Sequence, residues 1–73
     1  MKTQEMIADL MSRLNELRHE KESLMDRMQH FRINYAGWMD SEDGIKAKAE
    51  YKRLTNLDQH YSMVILDLKA LTR

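Results

Sequence analysis

Along the first half of the chain, apolar residues recur in alternating steps of three and four. They are Ile7, Leu10, Leu14, Leu17, Leu24, Met28, Phe31, Tyr35 and Trp38, with Lys21 in the one polar position. This is a heptad stripe with a single interruption. It predicts a helix from about residue 3 to about residue 38, ending within 36–39 and roughly 50 Å long. A second stripe follows: Ala47, Glu50, Leu54, Leu57, Tyr61, Val64, Leu68 and Leu71, with Glu50 as the polar position. It predicts a second helix over about 41–72 and a turn over about 39–43, all within one domain, 1–73. Phe31, Ile33 and Tyr35 also alternate with polar neighbours, and Ser62–Leu66 is a short apolar run. Both segments fit a strand, but both fit the longer helical period too, and the helical reading is adopted.

Between the stripes lies Gly37-Trp-Met-Asp-Ser-Glu-Asp-Gly44. Asp40 or Ser41 can cap the second helix, which places Glu42 and Asp43 in its first turn, where the helix dipole favours acids. Gly37 can end the first helix as a left-handed residue, with Trp38 folding back on Ile33. Alternatively the first helix runs through Gly37 and turns at 40–43. The sequence leaves both open.

With a turn centred on Glu42–Asp43, facing residues of an antiparallel hairpin have numbers summing to about 85. The stripes meet this condition: Leu14 faces Leu71, Leu17 faces Leu68, Lys21 faces Val64 and Leu24 faces Tyr61. Met28 then faces Leu57, Phe31 faces Leu54, Tyr35 faces Glu50 and Trp38 faces Ala47. A slip of one heptad moves the centre to residue 39, where the capping signals are poorer. A parallel dimer through the first helix instead sets Arg13 against Arg18 and Arg27 against Arg32, so like charges disfavour it. The expected fold is therefore all-α: an antiparallel, coiled-coil-like two-helix hairpin that dimerises into a four-helix bundle.

In this register the first ~11 residues overhang the second helix, and Met63–Leu68 lies beside the first half of the first helix. Met6, Ile7, Leu10, Met11, Met63, Ile65 and Leu66 then form an apolar end that one partner helix cannot cover. Exposed patches of this kind mark interfaces. The chain has 7 methionines among 73 residues. Their flexible thioethers suit either an adaptable binding surface or a loosely packed core.

Composition narrows the function classes. With no cysteine, neither disulfides nor thiolate metal sites can brace so short a chain. Self-association is the remaining usual remedy. Lys plus Arg and Asp plus Glu are 12 each, for a net charge of zero. A general nucleic-acid binder carries excess positive charge. No apolar run approaches the ~20 residues of a membrane span, and a cytoplasmic location is expected.

Glu16 and His19 match the Glu-x-x-His spacing of di-iron bundles, but they fall at outward heptad positions, so no metal site is expected. Asp26 and His30, spaced i, i+4, read as a solvated pair, and His60 flanks the seam. No nucleophile elbow or glycine-rich phosphate loop is present, so neither catalysis nor a cofactor is expected. Lys21 is expected to snorkel past Val64 or Tyr61, and Glu50 to accept the Tyr35 hydroxyl.

Two smaller surfaces complete the candidates. Lys46, Lys48, Lys52 and Arg53, with Arg27, Arg32, Tyr35 and Tyr51 near, form a basic cluster suited to an anion. Trp38 and Met39 stand at the tip as a plug over Ala47 or an anchor for a partner. The leading expectation is a non-enzymatic adaptor, regulator or inhibitor that pairs with itself and binds another protein. The alternatives are an RNA-binding hairpin using the Lys46–Arg53 cluster and a purely structural coiled-coil oligomer.

Overall fold

The computed structural model describes residues 2–71. Two long helices, α1 (Lys2–Asn34) and α2 (Glu42–Leu71), run antiparallel and are joined through one 3-10 turn at Trp38–Asp40. The described residues contain no strand. The molecule is a rod of 52 × 14 × 14 Å, one helix long and two helices wide. The expected all-α hairpin is the observed fold. Thr72, the expected end of the second helix, lies outside the described residues.

The helices form where local chemistry favours them. No glycine or proline interrupts α1, and Glu5 in its first turn and Arg32 in its last complement the dipole. Glu42 and Asp43 do the same at the start of α2. The chain leaves α1 at Asn34, short of the expected 36–39. The Tyr35 N–H still bonds the Phe31 carbonyl at 2.9 Å, and the Trp38 N–H then bonds the Tyr35 carbonyl at 3.2 Å. Gly37 lies between them at φ 78°, ψ 2°, the left-handed conformation that glycine adopts without steric cost. Trp38 does not fold back on Ile33, which is 75% exposed. It turns inward and stacks on Phe31, with ring centroids 5.2 Å apart.

Ser41, not Asp40, caps α2. Its Oγ accepts the Gly44 N–H at 3.1 Å and donates to the Trp38 carbonyl. Its own carbonyl takes the Ile45 N–H at 2.9 Å. Gly44 is buried beneath this turn. A Cβ there would lie 2.0 Å from the Trp38 oxygen and 2.9 Å from the Met39 Cα. The turn packs directly on the bare backbone of the first turn of α2.

This turn moves the fold-back toward Trp38, and the expected register is replaced. Arg18 lies beside Asp58 and Ser62, and Lys21 lies over Tyr51. Leu24 shares a cleft with Leu54, and Met28 shares one with Ala47. The expected pairs Leu14–Leu71, Leu17–Leu68, Lys21–Val64, Leu24–Tyr61, Met28–Leu57, Phe31–Leu54 and Tyr35–Glu50 are all displaced along the rod. The overhang also disappears: Ile7 and Leu10 pack against the core of the hairpin itself.

On α1 the stripe is as expected, with Leu14, Leu17, Leu24 and Met28 buried. On α2 the helix is rotated. Ala47, Leu54, Tyr61 and Leu68 keep their places, but the alternate positions are Tyr51, Asp58 and Ile65 rather than Glu50, Leu57 and Val64. Leu54 is 2% exposed and Ile65 is 7% exposed, both in the core, while Leu57 packs at its margin.

The turn yields a test with a definite sign. Helix propensity alone makes Gly44→Ala stabilising by about 1 kcal/mol. The steric contact reverses this, and a loss of about 1–3 kcal/mol is expected. Gly37→Ala, which has open space but a positive φ, loses about 1–2 kcal/mol. Urea denaturation followed by circular dichroism measures both, and a stabilised Gly44→Ala would refute the packing described.

Candidate functional site

The seam of the hairpin carries one polar cluster. Asp58 occupies a seam position on α2, and its carboxylate accepts Arg18 Nε at 3.0 Å and Nη2 at 3.3 Å. Ser62 Oγ donates to the same carboxylate at 3.3 Å and accepts a weak bond from Arg18 at 3.4 Å. The Asp58 side chain is mostly covered, whereas that of Arg18 is more than half exposed. The Arg18 guanidinium holds the Asp58 carboxyl below its ordinary range. Burial opposes this shift, and Ser62 and the Lys21 charge assist it. Lys21 does not snorkel past Val64 or Tyr61. Its Nζ sits 5.2 Å from the centre of the Tyr51 ring, a cation–π contact of about 0.5–1 kcal/mol.

Glu50, expected to reach Tyr35, is rotated out of the seam and bonds Arg53 instead. That hydrogen bond lowers its pKa. Tyr35 is itself exposed and leans on Phe31, with ring centroids 5.6 Å apart. His30 takes Asn34 as its neighbour rather than Asp26, at 3.2 Å between Asn34 Nδ2 and His30 Nδ1.

The expected apolar end is only partly present. Met6, Met11, Met63 and Leu66 are exposed, and Leu71 joins them. Ile7 and Leu10 are half-buried in the hairpin, and Ile65 is lost to the core, so it is unavailable to a partner. The reason is the register: α2 reaches back along the whole of α1, and its rotation turns Ile65 inward. The exposed residues do not share one face. Met6 and Met11 are five residues apart and flank the α1 stripe on opposite sides. Ile33, expected to meet Trp38, is exposed near the turn, and so is Ile45, which the pattern did not single out.

The basic cluster is divided. Lys46 pairs with Glu42 at 3.2 Å and Arg53 pairs with Glu50, both on one flank. That flank also holds Glu20 and Arg27 in a cleft with Glu50 and Arg53. Lys48 and Lys52, spaced i, i+4, are both exposed and lie away from that flank. Lys48 is two heptads before Ser62, which contacts Arg18, and so falls toward the Arg18 side, whereas Lys52 is two heptads before the exposed Leu66, on the outer side of α2. Among the described residues, Lys48, Lys52 and Arg32 enter no ion pair.

At the tip, Trp38 is half-buried and packs on the core beside Leu24, Met28 and Ala47. Met39 is half-buried and lines a cleft with Met25 and Met28. Glu16 and His19 are exposed, and among the described residues no group of three or more acids and histidines is placed to hold a metal ion. No helix among the described residues is long and apolar enough to cross a membrane.

The Arg18–Asp58 pair sets an acid dependence. The folded-state pKa of Asp58 lies below its ordinary value, and so does that of Glu50. Their contribution to stability is therefore complete above the ordinary carboxylate range, about pH 4, and is lost as pH falls through the depressed values. Asp58→Asn is expected to lower the melting temperature at neutral pH and to leave a gap that closes in acid. Thermal melts of both chains from neutral pH to about pH 2 check this. A gap that persists in acid would assign Asp58 a packing role instead.

No known family model, curated protein or solved structure matches this chain.

Proposed function

We propose that the chain is a non-enzymatic helical interaction module that pairs with a second copy and acts as an adaptor, regulator or inhibitor by binding another protein. The observation that carries this reading is surface. The size scaling of compact monomers gives about 4,800 Å² for a chain of this mass. The hairpin exposes 5863 Å². The surplus of roughly 1,100 Å² exceeds the ~800 Å² that one partner contributes to a standard interface.

The surplus follows from the shape. Two helices leave each other's outer surfaces bare, and Met63 and Leu66, neighbours at i, i+3 on the distal half of α2, are 66% and 67% exposed. A second hairpin laid there supplies the missing layer and completes a four-helix bundle. A cytoplasmic setting goes with this reading, because the chain has no cysteine to cross-link in its place. RNA binding through Lys46–Arg53 loses support, since Lys46 and Arg53 are neutralised on one flank and separated from Lys48 and Lys52.

The test uses Leu66→Asp with Met63→Asp rather than Leu10→Asp, because Leu10 packs on the hairpin's own core. Light scattering is expected to give twice 8.8 kDa for the native chain and the single mass for the double variant. The variant should remain helical, and its melting temperature should no longer depend on concentration. A native chain that stays monomeric at high concentration would overturn the pairing, and a double variant that stays dimeric would displace the interface.

A further inference from the structure

The side of α2 turned away from α1 carries a pattern of its own. The inward face uses Ala47, Leu54, Tyr61 and Ile65. Opposite it, Ile45, Lys52, Gln59 and Leu66 form one row at seven-residue steps. Ala49, Asn56, Met63 and Ala70 form a second row beside it. Together the rows follow alternating steps of four and three, and all eight residues are exposed. This is a second heptad seam, about 38 Å long, on a helix whose first seam is already occupied. It holds no acid, and Lys52 is its one charged residue.

The seam matches itself when a second copy runs the other way. With Gln59 of each copy against Asn56 of the other, facing residues have numbers summing to about 115. Ile45 then meets Ala70 of the second copy, Leu66 meets Ala49, and Met63 meets the aliphatic stem of Lys52. Each large side chain has a small or slender one opposite, which lets the two helices approach closely. The amides of Asn56 and Gln59 meet at the centre, where each offers donors and an acceptor to the other. A slip of one heptad sets Asn56 against Leu66 or Lys52, and Gln59 against Met63 or Ala49. The polar layer therefore fixes the register, at a cost in stability.

Parallel pairing lacks this fit. It sets Lys52 on Lys52 within the seam and Lys48 beside Arg53 on the flanks, with no attractive pair to offset them. Antiparallel pairing places Lys46 beside Asp67 and Lys48 beside Lys69, so attraction and repulsion on the flanks balance. It also moves Lys52 off its own copy and onto the Met63 thioether.

We propose that a second copy of the chain docks antiparallel on this outer seam of α2, with Asn56 and Gln59 at the two-fold axis and each α1 on the outside. The inference rests on the reading of the chain as a self-pairing module, and specifies the surface and direction of the pairing. Self-complementarity selects the occupant, because amide meets amide and large meets small only when the facing helix has this same sequence.

The chain has no cysteine, so introduced thiols report the geometry directly. Ala49→Cys and Leu66→Cys chains are prepared reduced, then oxidised alone and as a mixture, and covalent dimers are identified by mass spectrometry. Facing residues lie within the ~6 Å between Cα atoms that a disulfide spans, whereas the two copies of residue 49 lie about 26 Å apart. The mixture is expected to give about tenfold more covalent dimer than either chain alone. Ile45→Cys mixed with Ala70→Cys should give the same result at the end layer, with Leu66 left in place. All four sites are exposed, and circular dichroism checks the fold of each variant. Equal yields from Ala49→Cys alone and from the mixture overturn the proposal. So does the absence of both mixed disulfides while light scattering shows the native chain to be dimeric, which keeps the pairing and moves it to another surface. A native chain that stays monomeric at high concentration overturns the seam and the pairing together.

Discussion

The contact between the Trp38 carbonyl and the bare backbone of Gly44 is the constraint on which the rest of the hairpin depends. With no side chain at residue 44, the 3-10 turn can lie flat on the first turn of α2. Ser41 then bonds both parts, accepting from Gly44 and donating to Trp38. The chain therefore reverses around Trp38, and Gly37 supplies the left-handed step that α1 needs to end. Once the reversal is placed there, the lengths of the two helices follow each other. α1 has 33 residues and α2 has 30, so they lie alongside one another over nearly their whole length. Residues such as Ile7 and Leu10 then find cover within the chain.

The rotation of α2 follows from the same register and from electrostatics. Two stripes on α2 share Ala47, Leu54, Tyr61 and Leu68. One adds Glu50, Leu57 and Val64, and the other adds Tyr51, Asp58 and Ile65. Each has two apolar or aromatic residues and one acid, so transfer energies alone separate them poorly. The partners across the seam decide. Arg18 and Lys21 of α1 lie opposite the second set, where Asp58 receives a two-point bond from Arg18 and Tyr51 receives the Lys21 ammonium. Glu50 is left outside, where Arg53 on its own helix serves it.

This explains which parts of the molecule were legible in the sequence. The stripe of α1 was read correctly because its flanking positions are mostly charged and offer no second phase. The all-α hairpin was legible for the same reason, together with the absence of proline. The register was not, because Asp40 and Ser41 are equally good caps on paper and a glycine at the third position of a helix reads as a defect rather than a contact surface. The rotation of α2 was hidden because apolarity is nearly balanced between its two phases. Ile65 was misplaced in consequence, and the basic cluster was read as one patch when the corrected phase divides it.

The two ends of the rod differ in how fully the chain covers itself. Toward the turn, Trp38 stacks on Phe31, Met39 closes over Met25 and Met28, and the turn packs on Gly44, so three elements share the burial. At the opposite end only α1 and α2 remain, and Met63 and Leu66 stay exposed. The difference follows from the same reversal at Trp38: the turn supplies a third layer where it packs, and two helices alone have none to offer beyond it. Pairing of two copies, as proposed, would therefore add most at the end remote from the turn, where the chain has no side chains of its own left to cover the outer side of α2.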